Sequence, residues 1–137
     1  MQGQMPDQMP SQKTEKYLIN CQDGFNNLER ATIAFILAVS ASRQAEVAIF
    51  VTAEAAALCV EGAIQGNGVT TDPVVAEGYE SLASLFAAFM ENGGKIWLCP
   101  ACAKAKNITE GDLADGVEIA GALHTMAFLQ SGAKLLA

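Results

Sequence analysis

The sequence predicts an α/β fold in which a mostly parallel sheet of about five strands carries helices on both faces, giving three layers. Apolar strand-like runs alternate with helical segments along the chain. These runs are continuously apolar rather than alternating, as is typical of parallel strands covered on both faces. The length of 137 residues suits one domain that buries its own core. We predict a flexible N-terminal tail at 1–15 and a single domain at 16–137.

The first half contains two predicted strand–helix units. Strand 17–21 is an apolar run that ends at a Gly-containing turn, and strand 46–52 is rich in β-branched and aromatic residues. Asn26 or Asn27 is a suitable N-cap for the first helix. The predicted elements in order are a strand at 17–21, a helix at 27–42, a strand at 46–52 and an alanine-rich helix at 53–62.

The second half begins with a predicted loop, followed by three further units. The loop is indicated by residues that favour turns, namely Gly62, Gly66, Asn67, Gly68, Asp72 and Pro73. A helix over 76–91 ends at a pair of glycines, which is a common C-terminal stop. The later elements are strands at 95–98 and 117–120, a helix opened by Cys99, a turn at 111–116, a helix at 121–131 and a short last strand at 133–136.

The composition excludes several classes of partner. The net charge is −7 and the chain has no Lys/Arg cluster, which argues against nucleic acid and anionic membrane surfaces. The longest apolar run, 31–41, is too short to cross a bilayer, and the N-terminus does not resemble a signal peptide. We therefore expect a cytoplasmic protein with reduced thiols and no membrane insertion. Because 51% of residues are hydrophobic and only 17% charged, we also expect a homo-oligomer that covers apolar surface.

Cys99 is the strongest candidate for a functional residue. It follows a predicted buried strand, and Pro100 suits the first position of a helix, which makes Cys99 the N-cap. A sulfur atom there is expected to face the free N–H groups of Ala101 and Cys102, which favours the thiolate. Cys102 stands three positions later, at a spacing used in dithiol redox sites. Packing as a small apolar residue is the alternative for both thiols, and for Cys102 the two interpretations are evenly balanced.

Other candidate residues follow the first two strands, because sites in parallel sheets form beyond the carboxyl ends of strands. These supporting candidates are Cys21, Asp23 and Thr52. Core packing is the simpler interpretation for Cys21 and Cys59, and a packed or interface position for the lone His124. A zinc site would need two ligands beyond Cys99 and Cys102, and no second close-spaced pair exists, so no metal is predicted. No cofactor is predicted either, since glycine-rich nucleotide motifs are missing from the sequence.

The stretch 95–122 resembles the DsrE/DsrF/TusD family of small sulfur-relay proteins. The resemblance rests on residues 95–99, Ile108, Asp112, Leu113 and the segments 116–119 and 121–122, and it extends more weakly over 16–137. Two positions depart from the usual family pattern. Asn107 stands where the family usually has Gly, although Asn also adopts a left-handed backbone. Cys102 lies outside the general pattern, although some relatives share it.

The resemblance implies a DsrE- or flavodoxin-like sheet, assembly as a trimer or hexamer, and a cysteine matching Cys99 that carries sulfur as a persulfide between donor and acceptor proteins. The resulting hypothesis is a sulfur carrier or sulfurtransferase. A thiol–disulfide oxidoreductase or redox sensor that uses Cys99 and Cys102 is a second hypothesis. A third is a non-catalytic oligomeric subunit in which Cys99 is packed.

Overall fold

The computed structural model describes residues 15–64 and 77–136. It contains one five-stranded sheet in the order β4-β3-β2-β1-β5, and every strand pair in it is parallel. The strands are β1 (Lys16–Cys21), β2 (Glu46–Val51), β3 (Lys95–Leu98), β4 (Val117–Ile119) and β5 (Lys134–Leu136). The helices are α1 (Leu28–Ser42), α2 (Leu82–Glu91), α3 (Pro100–Ala105) and α4 (Ala122–Gln130), with 3₁₀ segments at Ala53–Cys59 and Glu110–Asp112.

The two faces of the sheet bury different amounts of apolar surface. The larger core places alternate residues of the strands, such as Ile19, Ile49 and Ile96, against α1, α2 and the 3₁₀ segment Ala53–Cys59. The opposite face holds a smaller cluster around Trp97, which packs against Phe128 of α4. The predicted α/β sheet with helices on both faces is therefore confirmed, with α1, α2, α3 and the 3₁₀ segment contributing to the core on one face and α4 covering the other.

Most predicted elements lie within two residues of the observed ones. Asn27 is the N-cap of α1, and its side chain accepts a hydrogen bond from the Arg30 N–H. The strand predicted at 95–98 is β3 without any shift. Residues 1–14 of the predicted tail, the glycine-rich stretch of the predicted loop and the predicted start of the second-half helix at 76 lie outside the described residues.

Two helix predictions need correction. The segment predicted as a helix at 53–62 is a 3₁₀ segment that ends at Cys59. The reason is that the Ala55 N–H donates to the Gln22 carbonyl (3.2 Å) as well as to the Thr52 carbonyl (3.1 Å), which ties the segment to the neighbouring turn. The helix predicted over 76–91 begins only at Leu82, where the Ser81 side chain caps it by accepting the Ser84 N–H.

Candidate functional site

The carboxyl edge of the sheet brings the ends of β1, β2 and β3 side by side. The Thr52 N–H donates to the Cys21 carbonyl (3.0 Å), and the Cys99 N–H donates to the Val51 carbonyl (3.0 Å). Successive strands of a sheet lie about 4.8 Å apart, so Cys21 and Cys99 lie roughly two strand spacings apart. Two of the candidate sulfur atoms and Thr52 thus belong to one edge, as the parallel topology predicts.

Cys99 is the N-cap of α3, as predicted, and Pro100 occupies the first turn of the helix. The Cys99 carbonyl accepts the Ala103 N–H at 2.9 Å, which is the first hydrogen bond of the helix. The residue is half-buried. Because Leu98 before it is fully buried, Cys99 stands where the chain leaves the core.

The expected contact between the Cys99 sulfur and the helix N–H groups is wrong. Within the described part of the chain, the Cys99 side chain makes no capping hydrogen bond, so neither Ala101 nor Cys102 donates its N–H to it. The reason lies in cap geometry, because the side chain of an N-cap can rotate away from the helix while its carbonyl still accepts the first helical bond. The Cys99 thiol is therefore not engaged by the N–H groups of its own helix.

The sulfur atom of Cys102 has a specific backbone partner. The N–H of Ala53, the first residue after Thr52, donates to Cys102 Sγ at 3.2 Å. Ala53 has φ +53°, a left-handed backbone that is unfavourable for alanine. Sequence reasoning did not find this contact, since Ala53 and Cys102 stand 49 positions apart and alanine carries no chemical signal.

A salt bridge fastens the same two segments together. Lys106 Nζ lies 3.3 Å from Glu54 Oε2, so one ion pair joins the C-terminal end of α3 to the residue after Ala53. The Lys106 ammonium group is thereby directed to Glu54. Lys104 lies in the last turn of α3, at the opposite end of the helix from Cys99. Both lysines thus lie at the end of α3 opposite Cys99.

The Cys21 thiol lies in the core next to the turn that follows β1. It is 2% exposed and donates to the Asp23 carbonyl at 3.5 Å. Burial raises the pKa of Cys21 to about 11. The Asp23 carboxylate accepts from the Arg30 guanidinium at 3.0 Å, and both residues line a cleft of about 260 Å³. The ion pair between Arg30 and Asp23 holds the turn in place, and burial of the thiol leaves Cys21 protonated at neutral pH.

Cys59 is also a core residue. It is 2% exposed, and burial, with a smaller contribution from the nearby Cys21, raises the pKa of its thiol to about 12. The core packing expected for Cys21 and Cys59 is confirmed. All four cysteines of the chain fall in the described residues, and all are free thiols. The thiols thus divide into a buried pair, Cys21 and Cys59, and a half-buried pair, Cys99 and Cys102.

His124 belongs to the other face of the sheet. Its ring meets the Trp97 ring edge-on, with the two centroids 4.5 Å apart, but the residue is exposed in the single chain, so of the two expected positions a buried core position is wrong and an interface position stays a prediction. Among residues 15–64 and 77–136, no three side chains of His, Cys, Asp or Glu converge as metal ligands. In the same two ranges, no helix combines the length and apolar character needed to span a bilayer.

Comparisons with known proteins show what the chain as a whole is similar to. The profile of the DsrE/DsrF-like family matches residues 15–137. The uncharacterized protein MJ0760 of Methanocaldococcus jannaschii is 30% identical over 116 residues, which cover 84% of this chain and 39% of that protein. The chain thus spans well under half the length of that relative.

Two solved structures share the fold. The ychN protein of E. coli superposes with a TM-score of 0.71 at 19% identity, covering 90% of this chain and 98% of the other. The protein of unknown function MTH1491 from Methanobacterium thermoautotrophicum gives a TM-score of 0.54 at 9% identity, with coverages of 89% and 97%. At such identities the likeness extends to the architecture alone.

Proposed function

The chain belongs to the DsrE/DsrF-like family, and from this premise we propose that it is a sulfur carrier that holds sulfane sulfur as a persulfide on Cys99. Membership of the family is consistent with a general role in sulfur relay. The assignment to Cys99 is supported by one observation above all. Cys99 is the thiol that directly follows β3, is the N-cap of the next helix and is half-buried with no capping bond to its sulfur.

The proposed reaction is a thiol exchange at one sulfur atom. The Cys99 thiolate attacks the outer sulfur of a donor persulfide, and the inner sulfur of the donor leaves as a thiolate. Cys99 is then a persulfide. An acceptor thiolate attacks the outer sulfur of this persulfide, and the Cys99 thiolate is released with the positive end of the α3 dipole beside it. No net oxidation or reduction occurs, so this chemistry needs no cofactor.

Mass spectrometry of the intact protein tests the proposal. The reduced protein is incubated with inorganic polysulfide, desalted and weighed with and without a thiol acceptor. We expect a single added sulfur atom on the wild-type protein, its loss to the acceptor, and no adduct on Cys99→Ser. Cys21→Ser is the matched control at the same sheet edge and should keep the adduct. A wild type without the adduct, or a Cys99→Ser variant that retains it, contradicts the proposal.

The second candidate function is a thiol–disulfide oxidoreductase or redox sensor. It is favoured by Cys102, which stands in the first turn of α3 three positions after Cys99, so that both belong to one side of the helix. Cys102→Ser separates the two functions. If sulfur transfer survives in this variant, Cys99 acts alone as a carrier; if all activity is lost, the dithiol is the functional unit.

We also propose a homo-oligomer, a trimer or hexamer, that works between donor and acceptor proteins. Support comes from α4, whose outer side exposes Leu123 (88%) and Met126 (50%) to solvent in the single chain. Light scattering after size exclusion should give a trimeric or hexameric mass for the wild type. Leu123→Glu should lower it, while Ile33→Glu on α1 is a control at another exposed apolar position. A monomeric wild type contradicts the assembly.

A further inference from the structure

The hydrogen bond between Ala53 and Cys102 links two parts of the site that the sequence keeps apart. The donor is a backbone N–H at the start of the 3₁₀ segment that follows β2, and the acceptor is a sulfur atom on α3, 3.2 Å away. Around this donor the backbone is fixed on both sides. The Thr52 N–H is bonded to the Cys21 carbonyl and the Ala55 N–H to the Gln22 carbonyl. The Ala53 N–H is therefore held in place by its neighbours and does not move with the Cys102 sulfur atom when that atom changes position.

A disulfide between Cys99 and Cys102 competes with this contact. Cys99 and Cys102 are free thiols in this structure. Disulfide sulfur atoms lie about 2.05 Å apart at a restricted dihedral angle, so forming the bond requires the two side chains to leave their present positions. In the reduced protein Cys102 Sγ is directed to the Ala53 N–H. A sulfur atom in a disulfide is also a poorer acceptor than a thiol or thiolate. The hydrogen bond from Ala53 to Cys102 thus belongs to the reduced dithiol, and it is weakened or lost when the disulfide forms.

We propose that the Ala53 N–H is a positioning group that holds the Cys102 sulfur atom at Ala53 in the reduced protein and so disfavours the Cys99–Cys102 disulfide. Its consequence for sulfur transfer rests on the proposed function of Cys99. If the Cys102 thiolate attacks the inner sulfur of a Cys99 persulfide, an S–S bond forms between the cysteines and the outer sulfur leaves as hydrosulfide. The two cysteines are then oxidised to the disulfide, and the sulfane sulfur is reduced to sulfide. The Ala53 contact slows this loss and keeps the sulfur on Cys99 for an acceptor.

An exchange of one backbone amide for an ester tests the proposal. Incorporating lactic acid, the hydroxy-acid analogue of alanine, at position 53 (Ala53→lactate) removes the N–H and keeps the methyl side chain. The matched control is Ala53→Gly, which retains the N–H and tolerates the positive φ of this position. The disulfide equilibrium of each protein is measured against dithiothreitol redox buffers, by counting free thiols after acid quenching.

We expect the ester to raise the equilibrium constant for disulfide formation about three- to tenfold, the effect of one net hydrogen bond. A tenfold increase corresponds to about 30 mV in the reduction potential. Ala53→Gly should stay within about twofold of the wild type. After polysulfide loading, the ester protein should also lose its added sulfur faster, with free sulfide and a Cys99–Cys102 disulfide as products. Equal equilibrium constants for the ester and the glycine variant overturn the proposal.

A second measurement needs no variant. Amide hydrogen exchange of Ala53 is compared in the reduced and oxidised protein, with the Thr52 N–H, bonded to the Cys21 carbonyl, as internal reference. Ala53 should exchange faster after oxidation while Thr52 does not change. Unchanged protection of Ala53 overturns the proposal. The equilibrium and exchange readouts do not require a persulfide, so a failure of the carrier function appears separately, as a missing sulfur adduct.

Discussion

Cys21 and Cys99 lie at the carboxyl ends of β1 and β3, on either side of β2 in the same parallel sheet, yet Cys21 is buried and Cys99 is only half-buried. Cys21 follows the half-buried Asn20 and Cys99 follows the fully buried Leu98, at the same edge of the sheet. After Cys21 the chain turns back at Asp23 and Gly24 and packs against the 3₁₀ segment, so the thiol stays in the core. After Cys99, Pro100 begins a helix at once and the sulfur remains half-buried. Both residues are cysteines at the carboxyl end of a strand. What differs is the chain that follows them, a turn after Cys21 and a helix after Cys99.

The largest expected effect is on thiol reactivity. With a pKa of about 11, roughly one Cys21 thiol in a thousand is ionised at pH 8, and burial further limits access. Iodoacetamide at pH 8 should therefore label Cys99 at least about a hundredfold faster than Cys21 or Cys59. Peptide mass spectrometry over time measures this, and unfolding in guanidinium should bring all four cysteines to similar rates. Labelling of Cys99 as slow as that of Cys59 would instead favour the non-catalytic subunit.

The buried thiols should also make the fold less stable in alkali. Their folded pKa values, about 11 and about 12, lie above the ordinary value of 9.0, so the folded state holds its protons more tightly. The stabilisation that these two thiols contribute is fully present below pH 9. It decreases as the pH rises above 9 and is lost by about pH 11 to 12, where the folded thiols ionise too. Between pH 8 and pH 10 the two thiols together should lower the free energy of unfolding by about 3 kcal/mol.

Urea denaturation at several pH values measures this dependence. A Cys21→Ala and Cys59→Ala double variant lacks both groups, so its stability should fall less steeply over the same range, while Cys99→Ala should behave as the wild type. Parallel curves for the double variant and the wild type would contradict the assignment of the alkaline effect to these thiols.

A methyl group at Gly24 should disturb the turn that keeps Cys21 buried. A Cβ there would overlap the backbone carbonyl oxygen of Glu54, which cannot move as a flexible side chain would. Gly24→Ala should cost about 2 kcal/mol in the free energy of unfolding and should speed Cys21 labelling. Gly111→Ala is the control, because its Cβ meets nothing closer than the Thr109 hydroxyl at 3.9 Å. Unchanged stability and unchanged Cys21 labelling in Gly24→Ala would show that the turn gives way easily.

The smallest effect concerns the far end of the helix that carries Cys99. Asn107 has φ +58°, the left-handed backbone anticipated at this position, and the Ile108 N–H behind it donates to the Ala103 carbonyl at 2.8 Å. Asn107→Ala should lower the free energy of unfolding by about 1 kcal/mol, whereas Asn107→Gly should be neutral or slightly stabilising. Thermal unfolding of both variants measures this. A loss of stability in Asn107→Gly equal to that in Asn107→Ala would mean that the asparagine side chain, not its backbone, is needed.

The elements that the sequence predicted well are those with strong local signals. Continuous apolar runs identified the strands, Asn27 marked the start of α1, and Pro100 placed Cys99 at the N-cap of α3. The segment 53–59 was predicted wrongly because its alanines favour a helix, whereas a hydrogen bond to Gln22, more than thirty positions earlier, holds it as a 3₁₀ turn. Local propensity contains no information about such a partner.

The sequence by itself determined the α/β class, the end of each strand to within one residue and the placement of Cys99 between a buried strand and a helix. These features follow from apolar patterning and capping chemistry, which act over a few residues. Only the tertiary structure decided that the Cys99 sulfur atom does not cap its helix and that the Ala53 N–H reaches the sulfur atom of Cys102. The physical reason is that burial and hydrogen-bond partners depend on which distant segments meet at the edge of the sheet.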